Sequence, residues 1–268
     1  MTNTTIFCLT LNPNHEEKIK RLSYKPVGLG ESKFTSNFLT DKPGFSISEK
    51  NPFYGEYTFH YWLWKNYLDK IDNNKWVCFS TYRRFWKSES SFIDSDPLEK
   101  KIIQTPPREW DNYNTILTEP TDVSKIKISK IFKKGKKLLI KKPSLIFNPK
   151  ERNLKFHFDL MHLEGNLDKA LDVIDKKEQS EFTNYLNTNT SANFWNLFCC
   201  NSPTLLNNWY ESVFTWLFKC EEIFGFDNLK AYETGRLYAY LAERYLPYWF
   251  KKYSKTRTWP IYYYNTEE

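Results

Sequence analysis

The sequence predicts a single mixed α/β domain whose second half is rich in helix. Three observations carry this. Short apolar runs at residues 5–11 and 76–79 end in polar loops, a breaker-free aromatic helix lies between them, and two long stretches of helical periodicity follow residue 204. A chain of 268 residues buries enough surface to need neither a disulfide nor a metal as a staple.

The elements follow in order. Residues 5–11 form a strand that stops at Asn12, Pro13 and Asn14. Residues 24–55 hold Gly28, Gly30, Pro43, Gly44, Pro52 and Gly55 and read as an irregular loop region, of a length that is commonly functional. Across residues 56–69, Tyr57, Tyr61, Trp64 and Leu68 recur at helical spacing while Phe59, Leu63 and Tyr67 widen the apolar band, as in an internal scaffold helix. Residues 76–79 are a buried strand running into Ser80, Thr81, Tyr82, Arg83 and Arg84. Residues 94–123, with Pro97, Pro106, Pro107 and Pro120, are expected to wrap the surface. Segments 126–132 and 138–140, separated by Gly135 and lysines, read as the strands of a hairpin. Residues 155–161 are a short element, 168–175 look helical, and 205–224 are a helix ending at Gly225. Residues 229–250 are a further helix, broken or kinked near Pro247. The domain is expected over residues 1–250, with 251–268 as a basic, aromatic tail lying over it or at a membrane interface.

Composition narrows the function. Aromatic residues reach 18%, enough to fill a core and also to build platforms for sugar or base rings. The net charge of +7 is local: nine lysines lie between Lys125 and Lys142, where no acid occurs, and the other 30 cations fall two short of the 32 acids. Those lysines suit either a solvated edge-strand face or a phosphate-rich or anionic-lipid partner, with nucleic acid a distant third. The five cysteines form no CxxC pair and the N-terminal residues lack the pattern of a signal peptide, so reduced thiols in a cytoplasm are expected. No window approaches the roughly 20 apolar residues that cross a bilayer, which leaves peripheral association.

Several constellations could carry chemistry. Arg83 and Arg84 follow a buried strand, where ligands of open α/β sheets bind, and guanidinium forks match diphosphate oxygens; the alternative is a pair of structural salt bridges. His60 is either a satisfied core histidine or a ligand contact. His157 and His162 lack zinc spacing. Asp94-Ser95-Asp96 is a lone DxD that does not end an apolar strand. Glu243-Arg244, after Glu233 and Arg236, reads as a helical ion network or as a helix that presents an acid or arginine to substrate. The absence of GxGxxG, GxxxxGK[ST] and GxSxG argues against a standard dinucleotide enzyme, P-loop NTPase or serine hydrolase.

Taken together, NPFYGEYTFHYWLWKN at 51–66 and WVCFSTYRRFW at 76–86 resemble a family of bacterial capsular and lipopolysaccharide biosynthesis proteins, the DUF4422 glycosyltransferases. Asn196-Leu197-Phe198, the Trp-rich helix around Trp209 and Trp216, and Arg236 with Glu243-Arg244 extend the likeness over most of residues 25–250. The resemblance implies a GT-A-like fold, a Rossmann-type mixed sheet flanked by helices with a helix-rich C-terminal part. It also implies transfer from a nucleotide-diphosphate sugar, with a UDP-sugar first among the candidates. Glu56, Tyr61, Trp62, Lys65 and Asn66 match its helix motif, Tyr82, Arg83 and Arg84 its strand-end motif, and Asn196 a third. Thr81 stands where the family has histidine, and residues 138–143 lack an acid of the family pattern, which puts dependence on a divalent metal in question.

The expected site therefore places Arg83, Arg84, Tyr82, Gly28, Asn196 and His60 at the donor and Glu243 or Asp159 as general base. The acceptor is a glycan or lipid-linked glycan, reached in the cytoplasm or at the inner face of the inner membrane through the lysine patch. A glycan-binding or assembly protein that kept the fold and lost turnover is the alternative.

Overall fold

The computed structural model describes residues 4–73, 75–229, 231 and 233–264. Its elements, in order, are β1 (Thr4–Thr10), α1 (Glu16–Arg21), β2 (Lys25–Gly28), β3 (Leu39–Thr40), α2 (Asn51–Tyr54), α3 (Tyr57–Asn66), β4 (Trp76–Thr81) and β5 (Arg84–Trp86). There follow α4 (Leu98–Lys101), β6 (Thr115–Thr118), β7 (Thr121–Asp122), α5 (Ile128–Lys134), α6 (Lys136–Lys141), α7 (Leu154–His162), α8 (Asn166–Leu171) and α9 (Lys176–Thr188). The chain closes with β8 (Ser191–Ala192), β9 (Phe198–Cys200), α10 (Pro203–Phe224), α11 (Leu237–Tyr253), β10 (Thr256–Trp259) and β11 (Ile261–Tyr263).

The main sheet runs β10-β6-β9-β4-β1-β2-β3, with β5 beside β4 and β11 beside β5. Strands β1 to β4 are parallel, β9 is antiparallel to β4 and β6, and β10 is parallel to β6. This is the expected class, an α/β fold on a Rossmann-type mixed sheet flanked by helices. The chain divides into two compact units: unit 1 comprises Met1–Glu119, Asn196–Glu211 and Phe250–Glu268, and unit 2 comprises Pro120–Trp195 and Ser212–Trp249, the divisions falling within α10 and α11.

Unit 1 holds the main sheet. Strand β1 is buried from Ile6 to Thr10 and paired on both sides, which is why it reads as an unbroken apolar run. Phe7 stacks on Phe79 of β4 at 5.9 Å and meets Phe59 of α3 edge-on at 5.2 Å. Helix α3 also clasps a loop. Trp62 Nε1 donates to the Pro43 carbonyl (2.6 Å), and the Asn66 amide both accepts from Phe45 N–H (3.0 Å) and donates to Phe45 C=O (2.8 Å). Gly44, at φ +79°, makes the turn that permits this, and a Cβ there would strike Asn66.

Unit 2 is helical apart from the β7–β8 pair. Ile131, Leu139, Leu145, Phe156 and Leu160 form a buried cluster joining α5, α6 and α7. Phe182 of α9 packs on Trp216 and Tyr245 at 5.9 and 5.1 Å.

The structure corrects several expectations. Segments 126–132 and 138–140 are the helices α5 and α6, not a hairpin, because Ile131 and Leu139 find their partners in α7 rather than across a ladder. Residues 94–123 wrap the surface only in part, for Thr115–Thr118 is a fully buried strand of the main sheet. Helix α11 starts at Leu237, and Pro247 lies inside it without ending it. The basic, aromatic tail supplies β10 and β11. The 205–224 helix ends as expected, with Gly225 at φ +56° and Ser202 Oγ capping Leu205 N–H at the start (3.2 Å).

The thiols also differ from expectation. Cys78 of β4 and Cys199 of β9 are opposed in the register, 4.0 Å apart at Cα, and joined as a disulfide. Their separation of 121 positions conceals that pairing in the sequence. Cys8, Cys200 and Cys220 remain free and buried, and burial pushes the Cys8 and Cys200 thiols up to about 12.

Candidate active site

The order of the main sheet reverses at β1: the chain goes outward to β2 and β3 on one side, then returns to β4 on the other. Crevices beyond the carboxyl ends of strands at such a reversal are where open α/β sheets hold ligands. Three connections converge there in unit 1. The β2 exit is tied to β1 by Leu29 N–H on Thr10 C=O (2.9 Å), and the β4 exit by Tyr82 N–H on Leu9 C=O (3.2 Å). The β1 exit folds back so that His15 Nδ1 lies 2.8 Å from Thr10 Oγ1 and its ring stacks on Tyr82 at 4.8 Å. The Arg83 guanidinium lies over the other partner of this stack, 4.8 Å from the Tyr82 ring centre. The result is a shelf of imidazole, phenol and guanidinium at the strand ends.

Of the expected donor residues, Tyr82 and Arg83 stand on this shelf, and Gly28 ends β2 beside it. The face of Gly28 is covered by the Phe34 ring, which leaves no room for a Cβ. Arg84 opens β5, where its Nε donates to Tyr263 Oη (2.8 Å), so the two arginines lie in different elements, one in the turn and one in the hairpin strand. Asn196 is buried; its Nδ2 donates to Glu56 Oε1 (2.9 Å) and its Oδ1 accepts from Tyr57 Oη (3.3 Å), which joins two of the resembling motifs. His60 is fully enclosed among Phe79, Phe198 and Tyr210, with Nδ1 3.1 Å from Tyr210 Oη, and burial lowers its pKa to about 3. It is a core histidine with no surface to offer a ligand, which corrects its placement at the donor.

Unit 2 contains a cavity of about 420 Å³. Its lining includes Lys125, Lys130, His157, Trp195, Glu243 and Arg244. Arg244 is only 1% exposed; it donates to Glu243 Oε2 (2.7 Å) and to His157 Nδ1 (3.2 Å), while its Nε has no partner. Glu243 Oε1 accepts from Trp195 N–H at 2.6 Å. Trp195 has φ +76°, an outlier for a bulky residue, and the Glu243 carboxylate holds it there. Burial, then the Arg244 charge, lower His157 to about 2 and His162 to about 3. Pro247 gives no N–H to the Glu243 carbonyl one turn earlier, which frees that oxygen from the helix ladder.

The two carboxylates expected as bases are placed differently. Glu243 borders the cavity, whereas Asp159 accepts from Lys155 Nζ (2.9 Å) and Gly165 N–H (3.3 Å) and braces the α7–α8 turn, with burial raising its pKa. Asp96 of the DxD caps Ile93 N–H and pairs with Lys100. Among the described residues, no three His, Cys, Asp or Glu side chains are grouped to hold a metal ion.

One residue of the shelf escaped the sequence expectations. His15 follows a buried strand within the Asn-Pro-Asn-His run, a signal that was available.

No curated protein matches the chain in sequence. A solved structure, the apo form of the WbbM bifunctional glycosyltransferase, shares the fold, with a TM-score of 0.68 at 19% identity. The match covers 98% of this chain and 46% of that one, so this chain spans under half the length of its structural relative. A family model, described as a domain of unknown function, matches residues 12–255. Nearly the whole fold thus falls within one family, and the chain belongs to DUF4422.

Proposed function

We propose that the chain is a glycosyltransferase that moves a sugar from a nucleotide-diphosphate donor, first of all a UDP-sugar, to a capsular or lipopolysaccharide glycan. The strand-end shelf of His15, Tyr82 and Arg83, at the reversal of a sheet shared with a bifunctional glycosyltransferase, is the observation that supports it most. In the reaction, the bond from the anomeric carbon to the diphosphate oxygen breaks and the diphosphate keeps the electron pair. The acceptor hydroxyl oxygen bonds to that carbon while its proton passes to a base.

Arg83 is suited to hold the diphosphate and to take up the charge it gains on leaving, because its fork offers several N–H donors in one plane. Tyr82 and His15 give a flat stack against which a ring can lie. The two carboxylates expected as bases are both engaged within unit 2, Asp159 by Lys155 and Gly165 and Glu243 by Trp195 N–H and Arg244. A second reading, a glycan-binding or assembly protein without turnover, is favoured by one observation: both Glu243 oxygens already accept hydrogen bonds. The lipid-linked acceptor would be met at an anionic membrane surface, a reading supported by the lysines and outward apolar side chains of α5 and α6. Among the described residues, no helix is long and apolar enough to cross a membrane.

The test is turnover of a panel of UDP-, GDP-, CMP- and dTDP-sugars, with and without manganese and acceptor, by the native protein and by Arg83→Gln/Arg84→Gln. The double variant is expected to keep the native melting temperature and to lose about 100-fold or more in kcat/KM. Undiminished turnover by the folded double variant overturns the role of the arginines. No turnover of any donor by the native protein, with glycan binding intact, selects the second reading.

A further inference from the structure

We infer that the cavity of unit 2 is a binding site for an anionic sugar, a hydroxylated ring that carries a phosphate or carboxylate. The first ground is charge. Among the lining groups, Asp122 lies 3.7 Å from Lys125 and Glu243 is bonded to Arg244, which leaves the ammonium of Lys130 without an acidic partner among the described residues. The second is the state of Arg244. Its guanidinium is removed from water with a single carboxylate neighbour and an Nε–H that has no acceptor, so a buried cation in the wall is compensated by one anion only and favours a further negative charge beside it.

The third ground is donor geometry. Arg244 can only donate, so His157 Nδ1 accepts and its proton sits on Nε2, for which the described residues supply no partner. His157 therefore faces the cavity as a neutral N–H donor. The fourth is the wall: Phe194, Trp195 and Tyr240 line the same space, and aromatic faces beside cations and hydrogen-bond donors suit a polar ring with a charged substituent. The volume, about 420 Å³, accommodates a monosaccharide phosphate. The Glu243 carboxylate does not repel such a guest strongly, since its oxygens are engaged by Trp195 N–H and Arg244.

Binding at this cavity stands without the transferase reading. The experiment is calorimetric titration of the full chain, without donor nucleotide, using glucose 1-phosphate, glucuronate, methyl glucoside and inorganic phosphate. Glucose 1-phosphate or glucuronate is expected to bind at least tenfold more tightly than methyl glucoside and than inorganic phosphate, and the preferred one identifies the anion. Lys130→Gln, an exposed change that spares the fold, is expected to weaken that binding about tenfold, and His157→Gln, which keeps an N–H donor, to weaken it less than His157→Phe. Equal affinity for methyl glucoside, equal affinity for inorganic phosphate, no heat from any probe with folded protein, or binding unchanged in Lys130→Gln each overturns the inference. Because no step uses a nucleotide sugar, failure here is separate from failure of the transferase assay.

Discussion

Arg244, Glu243 and His157 show how one buried charge dictates the state of its neighbours. A guanidinium that is 1% exposed forces its surroundings to compensate, with one carboxylate beside it and a histidine kept neutral so that it can accept. His157 is held to about 2, and His162 and His60 to about 3, whereas an unfolded histidine takes up a proton near 6.5. Below that pH the unfolded chain binds more protons than the folded one, so stability present at neutral pH is lost as the pH falls. Each histidine contributes about 1.4 kcal/mol per pH unit to that slope. Urea unfolding followed from about pH 7.5 to about pH 5 should show the decline, and His162→Gln should make it shallower. A flat profile would remove the picture of neutral, buried imidazoles. Arg83 and Tyr82 were legible at this scale because a buried strand stops just before them. His60 was not separable from a ligand contact, since its enclosure depends on Phe198 and Tyr210, more than a hundred residues away.

Among the elements, β1, α3, β4 and α10 could be read directly because each is long or apolar enough for its own periodicity to decide it. Strands β6, β9 and β10 are three or four residues long and exist through partners distant in sequence. Helices α5 and α6 were misread because Ile126, Ile128 and the intervening lysines alternate like an edge strand, while the burial of Ile131 and Leu139 against Phe156 and Leu160 selects a helix. That packing turns the remaining apolar residues outward. Ile128, Phe132, Ile140 and Phe147 are 42%, 49%, 80% and 83% exposed, among Lys127, Lys133, Lys136 and Lys137, which have no acidic partner among the described residues. Greasy side chains between lysines fit an anionic bilayer surface better than a polynucleotide. Flotation with vesicles containing anionic lipid should carry the protein at low salt, and Phe132→Ser/Ile140→Ser/Phe147→Ser should reduce the bound fraction about tenfold. Equal binding to zwitterionic vesicles, or none to either, contradicts it.

Across the whole molecule, residues from both ends of the chain share one sheet. Trp259 of β10 is buried, its Nε1 donates to Lys87 C=O at 2.9 Å, and its ring meets Trp110 at 5.6 Å. Replacing it with Ala should cost about 3 kcal/mol or more, read as a lower urea midpoint with loss of tryptophan fluorescence change; a cost under about 1 kcal/mol would mean the strand is dispensable. Sequence periodicity could announce the N-terminal strands and the long helices, but not that residues 256–263 return to pair with β5 and β6, because the alternation of those few residues is equally that of an exposed tail.

The pairing of β10 with β6 and of β11 with β5 also governs how the chain is made. Thr115–Thr118 and Arg84–Trp86 leave the ribosome well before Thr256–Tyr263 is synthesised, so one border of the nascent sheet stays unsatisfied until those residues emerge. During that interval its hydrogen-bonding groups and Trp110 are open to a chaperone or to a neighbouring nascent copy. Emergence of residues 256–263 is then the event that closes this edge.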